Sequence, residues 1–164
     1  MTNPTTTNPT MHTIERRIPA SPERVWQLWT TADGISEWWA PDGFRTDVTS
    51  LDLRDGGELI YVMTAVAPEM VAFMEQNGMP LATESRKTFT EVEKPTRLAY
   101  RSLVDFVPDH APYEQLTIVD LERVDGGTRV LMQVEALHDE EWTGRLMAGR
   151  ANELDNLERL VADA

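Results

Sequence analysis

The 164-residue sequence has no cysteine, which excludes disulfides, thiolate metal ligands and a cysteine nucleophile, and leaves cysteine usage silent on the redox compartment. It is also short of positive charge. Fifteen Lys and Arg, 13 of them arginine, face 28 Asp and Glu, a net charge of −13 that argues against attraction to nucleic-acid phosphates or anionic lipid. No apolar run approaches the roughly 18 residues of a membrane span, and the opening MTNPTTTNPT lacks the basic and apolar regions of a signal peptide. A cytoplasmic protein with no nucleic-acid partner and no membrane span is the expectation. Histidine occurs only at His12, His110 and His138, without a His-Glu-x-x-His pattern, so no metal site is expected. The sequence has no Gly-x-Ser-x-Gly elbow, phosphate-cradling loop or dinucleotide fingerprint, so no cofactor is expected either.

What is present is an ordinary globular composition, 41% apolar and 26% charged, at a length that suits one domain. Residues 1–11 are mostly Thr, Asn and Pro and read as a flexible tail, leaving 12–164 as a single domain. The first strand is His12 to Ile18, stopped by Pro19. Ser21 before Pro22 reads as a helix cap, followed at helical spacing by Val25, Trp26, Leu28 and Trp29. A second short helix starts near Thr31 to Asp33 and carries Ile35, Trp38 and Trp39 until Pro41, Asp42 and Gly43 break it.

From Phe44 the period changes to two. Phe44 to Leu51 and Glu58 to Thr64 read as a hairpin turned by Asp55, Gly56 and Gly57, and four further strands span Glu84 to Val92, Arg97 to Asp105, Gln115 to Glu122 and Thr128 to Ala136. The pattern predicts an antiparallel meander. A helical insert with Met70, Phe73 and Met74 lies between Pro68 and Pro80, and methionine there suits either a lid or plain edge packing. A long helix runs from Asp139 to about Val161, its acidic start complementing the helix dipole.

At about 100° per residue, Trp142, Leu146, Glu153, Leu157 and Leu160 form one stripe of that helix, flanked by Arg150, Leu154 and Val161. Two charges thus fall among apolar neighbours. They could pair three residues apart while Arg150 reaches water along its stem, or they could face a cavity and orient the polar end of a ligand.

The element order, together with IPASPERVWQLWTTADGISEWWAPDGF, DLRDGGEL from Asp52, FTEVEKPTRLAY from Phe89 and GGTRV from Gly126, resembles the START-like superfamily. Within it the sequence is similar to proteins like the activator of the ninety-kilodalton heat-shock chaperone's ATPase, over about residues 12–162. The resemblance implies an α+β helix-grip fold: a curved antiparallel sheet around a long C-terminal helix, two short helices after the first strand, and an apolar cavity between sheet and helix. Members bind lipids, hormones or polyketide-like molecules, and some are cyclases. The chaperone activators carry a separate N-terminal domain with an Asn-Trp-His-Trp motif that this sequence does not contain, so the resemblance is one of shape.

The expected function is therefore binding of a small hydrophobic or amphipathic ligand by a monomer or homodimer. A cyclase or hydratase using Glu153, His110 or His138 for proton transfer is one alternative, and a module that acts on a chaperone is another. The candidate ligand-binding residues are Trp38, Trp39, Phe44, Tyr61, Met63, Phe73, Met74, Tyr100, Met132, Trp142, Leu146, Arg150 and Glu153. Tyr61 and Tyr100 stand out because a buried phenol needs a partner for its hydroxyl.

Overall fold

The computed structural model describes residues 10–40, 42–105 and 107–162. Most of the expected tail, residues 1–9, lies outside the described residues, as does the helix-breaking Pro41. Strand β1 (Met11–Ile18) begins one residue earlier than the sequence suggests, with Met11 opposite Glu135. Helix α1 (Pro22–Thr30) is capped by Ser21, whose hydroxyl accepts from the Arg24 N–H at 3.1 Å, and proline at its first position has no amide to leave unsatisfied. Helix α2 (Ala32–Trp38) follows at once, capped by Thr31, whose side chain accepts from the Gly34 N–H at 3.0 Å.

The two helices touch where Gly34 meets the end of α1. A Cβ at Gly34 would stand 2.7 Å from both the Gln27 carbonyl oxygen and the Leu28 Cα, backbone atoms that cannot swing aside. Gly34→Ala is expected to cost about 1–3 kcal/mol, as overpacking does elsewhere. A urea midpoint unchanged by that substitution would contradict the packing described here. The contact matters because it sets the tryptophan cluster: Trp38 donates its indole N–H to the Leu28 carbonyl at 2.8 Å, and Trp29 and Trp38 meet edge to face with centroids 4.8 Å apart.

Strands β2 (Phe44–Leu51), β3 (Glu58–Ala65), β4 (Ala82–Glu93), β5 (Arg97–Val104), β6 (Tyr113–Val124) and β7 (Gly127–Glu135) form the expected antiparallel meander, with α3 (Pro68–Gln76) inserted after β3. β1 returns to pair with β7, giving one seven-stranded sheet in the order β1-β7-β6-β5-β4-β3-β2. Register shifts between Val48 and Ser50 and between Phe89 and Glu91 mark bulges, which bend strands and help curve the sheet.

Helix α4 (Glu140–Ala162) crosses the face of that sheet. Asp139 caps it by accepting from the Trp142 N–H at 2.8 Å. Its far end is tied to β1 by Arg16–Asp155 at 3.1 Å and to the end of α2 by the Asn156 amide, which donates to the Ala40 carbonyl at 3.0 Å. The buried line of α4 is Thr143, Arg150, Leu154 and Leu157, so the helix is turned toward Arg150 relative to the stripe centred on Trp142 and Leu160. A wheel weights every apolar residue equally, whereas Trp142 and Leu160 sit near the helix ends and are only half-buried. No described helix is long and apolar enough to cross a membrane.

Candidate functional site

Strand register assembles a polar row on the inner face of the sheet. Lys87 on β4 lies opposite Ser102 on β5, which lies opposite Gln115 on β6. One row further along, Phe89, Tyr100 and Thr117 face one another in the same way. Inward placement follows from the period of two: Lys87 is two residues from the fully buried Phe89, and Gln115 two from Thr117. Lys87 retains only 5% of its exposure and Arg150, reaching down from α4, only 6%. Two cationic side chains are therefore enclosed between sheet and helix.

Their partners differ. The Arg150 guanidinium donates from Nη1 to Glu153 at 3.1 Å and from Nη2 to the Thr117 hydroxyl at a long 3.4 Å, while its buried Nε–H meets no acceptor. Among the described residues Lys87 has no carboxylate within ion-pair distance. Its Nζ donates to Ser102 Oγ at 2.8 Å and sits over the rings of Trp39, Tyr61 and Tyr100, at 5.8, 5.6 and 5.3 Å from their centroids. An ammonium has three donors, so one hydrogen bond leaves it under-satisfied.

The electrostatics follow from this geometry. Burial, reinforced by the Arg150 charge and only partly opposed by Glu153, pulls the Lys87 amine down to about 7. Burial works against the charge of Arg150 too, but Glu153 and the two tyrosines prevail and hold its pKa above the ordinary value. Burial, with a contribution from Glu153, pushes the Tyr61 and Tyr100 phenols up, Tyr100 to about 12, so both stay protonated. The Tyr100 hydroxyl lies near Trp29 and Thr117 yet forms no hydrogen bond of normal geometry.

Beside these groups is a partly enclosed cavity of about 160 Å³ lined by Tyr61, Lys87, Ser102, Gln115, Leu146 and Arg150. A wider depression of about 400 Å³, open to solvent, lies at the other end of α4 between Trp38, Phe44, Asn156 and Leu160. We take the smaller one as the candidate site because it contains the enclosed charges, and desolvated charge is expensive unless something meets it.

The structure brings Tyr61, Leu146 and Arg150 to this cavity, places Trp39 and Tyr100 around the Lys87 ammonium, and sets Glu153 on Arg150. Of the two readings of Arg150 and Glu153, the pairing holds while the escape of Arg150 to water does not. The other candidates stand elsewhere. Trp38 and Phe44 belong to the open depression, Met132 is wholly buried in the core on β7, and Met63 packs half-buried at the core's margin. On α3, Met74 is buried while Phe73 is 51% exposed. Trp142 is half-buried, with the Arg145 guanidinium 4.7 Å from its ring centroid. His110 and His138 stack with centroids 4.3 Å apart, the Tyr113 hydroxyl is 2.7 Å from His138 Nδ1, and neither histidine lines the cavity.

Lys87, Ser102, Gln115 and Thr117 were not legible as site residues. A signal for Lys87 existed: lysine occurs only twice in the chain, and this one alternates with Phe89 on a strand. Among the described residues no group of three His, Asp or Glu could hold a metal ion.

The family model for activator of Hsp90 ATPase homolog 1-like protein matches residues 19–162. The chain belongs to that family. Its fold is the START-like helix grip, and the solved structures agree. An AHSA1-like protein from Aeromonas hydrophila is 27% identical, with 94% of this chain and 93% of that one covered and a TM-score of 0.73. A protein from Chromobacterium violaceum is 21% identical, with 92% and 96% covered and a TM-score of 0.75. The AHSA1 protein from Silicibacter pomeroyi is 19% identical, with 93% and 98% covered and a TM-score of 0.72. No curated protein matches the chain.

Proposed function

We propose that this family member binds a small amphipathic ligand in the cavity between the sheet and α4. The observation that carries this reading is the coincidence of a cavity with polar groups that the protein itself leaves under-satisfied: the Lys87 ammonium with one hydrogen bond and the Arg150 Nε with none. Native proteins satisfy nearly all buried polar groups, and sites that do not are commonly completed by a ligand or water. The volume limits the ligand to about the size of a single ring with a polar substituent, since a cavity of roughly 150 Å³ holds benzene. Leu146 and Tyr61 supply its apolar contacts.

The experiment is an NMR screen of small acids, alcohols and amides against the protein and against a variant carrying Arg150→Leu and Glu153→Leu. Replacing both members of a buried pair by apolar residues commonly leaves a fold intact. The expected result is binding that shifts the resonances of Tyr61, Lys87 and Leu146 and is lost in the variant. Binding only at the protein surface, or binding that survives in the variant, would contradict the assignment. A proton-transfer enzyme using the same cavity is the second reading, favoured by the Lys87 amine standing near neutrality, where a general base works best.

A further inference from the structure

The cavity contains an imbalance of charge. Arg150 and Glu153 cancel, being paired at 3.1 Å, and Lys87 remains as an additional cation with no carboxylate of its own among the described residues. Apart from α4, whose Glu153 is held by Arg150, the elements around it contribute groups that cannot neutralise it: Trp39 after α2, Tyr61 on β3, Tyr100 and Ser102 on β5, and Gln115 on β6. Both tyrosines stay protonated, and Gln115 is already engaged, donating to the Leu116 and Glu135 carbonyls at 2.6 and 3.0 Å. Arg86, which also lines the cavity, is half-exposed and pairs with Glu58 at 3.2 Å, so it adds no negative charge either.

Resting on the ligand-binding reading above, we propose that the occupant is a monoanion, a small carboxylic acid whose carboxylate lies against Lys87 while its apolar body lies against Tyr61, Leu146 and Val104. A carboxylate brings one negative charge and four lone-pair directions to an ammonium with unused donors, and the low-dielectric surroundings make that pairing strong. The rings of Trp39, Tyr61 and Tyr100 lie within 5.8 Å of the Lys87 Nζ, and Lys87 itself lines the cavity beside Tyr61. Beside a neutral ligand the amine would shed its proton at about pH 7, as it does in the empty protein, whereas an anion holds the proton in place.

One consequence is linkage to protons. The empty protein sheds the Lys87 proton at about pH 7, whereas the bound anion needs it present, so binding above that pH takes up a proton. Affinity should then fall by about tenfold per pH unit above 7.

The test is calorimetric titration with benzoate, its neutral isostere benzamide and inorganic phosphate, at pH 6.5 and pH 8.5, on the protein and on Lys87→Met. The expected result is that benzoate binds at least tenfold tighter than benzamide and weakens at least tenfold between the two pH values. Lys87→Met should erase both differences. Benzamide binding as tightly as benzoate would overturn the anion proposal while leaving ligand binding standing. Phosphate binding more tightly than benzoate would overturn the need for an apolar body. If neither ring compound binds the protein at millimolar concentration, both this proposal and the reading it rests on fail.

Discussion

Lys87→Met is expected to stabilise the protein at neutral pH by roughly 2–4 kcal/mol, an unusual direction for a buried substitution. Moving an amine from its ordinary 10.5 to about 7 corresponds to a cost on the order of 5 kcal/mol at about 1.4 kcal/mol per unit. Loss of the Ser102 hydrogen bond and the aromatic contacts removes part of the gain. Methionine is unbranched and of similar length, so the space stays filled.

The pH dependence gives this prediction its sign. The unfolded chain holds the lysine proton up to about 10.5 and the folded one only to about 7, so between those values the unfolded state binds more protons and wild-type stability rises with pH. The advantage of Lys87→Met should therefore be full below pH 7, shrink steadily above it, and be gone by about pH 10.5. Tyr61 and Tyr100, whose pKa values are raised, lower stability above pH 10 in both proteins, and so cancel in the difference. Paired urea titrations at pH 7 and 10 measure it. A variant less stable than the parent at pH 7 would show that Lys87 is charge-compensated in a way the structure does not contain.

Glu153→Gln should have the largest effect in the opposite direction, a loss of about 3–5 kcal/mol at pH 7, because it strands Arg150 without its carboxylate. Glu153 also supports the Lys87 charge, so the same substitution should cost less in the Lys87→Met background. A double-mutant cycle by urea denaturation gives the coupling. A loss under 1 kcal/mol for Glu153→Gln alone would mean that solvent, rather than Glu153, compensates Arg150.

The fold was legible because its signals are local and repeat. Ser21-Pro22 and Thr31 mark the helix starts, glycine pairs at 56–57 and 126–127 mark the turns, and alternation over 127–135 buries Thr128, Val130, Met132 and Val134 in sequence. The candidate site was legible where a charge interrupts an apolar stripe, which singled out Arg150 and Glu153 on α4, and where strand alternation turns a phenol inward, which singled out Tyr61 and Tyr100. Lys87, Ser102 and Gln115 come together through register across three strands, and register follows from tertiary packing and turns that no single segment encodes. A lysine between serine, arginine and threonine reads as a wet strand position until the opposite strands are known. Phe73 on α3 is 51% exposed and is not among the residues lining this cavity.

The chain contains only two lysines, Lys87 and Lys94, so selective carbon-13 labelling of lysine yields a two-signal spectrum that can be followed across pH. The signal that disappears in Lys87→Met should titrate with a midpoint of about 7 and move upward by more than one unit when benzoate is added. A Lys87 signal that stays protonated to pH 9 in the empty protein would contradict the central claim, that an enclosed and unpaired ammonium waits in this cavity for an anion.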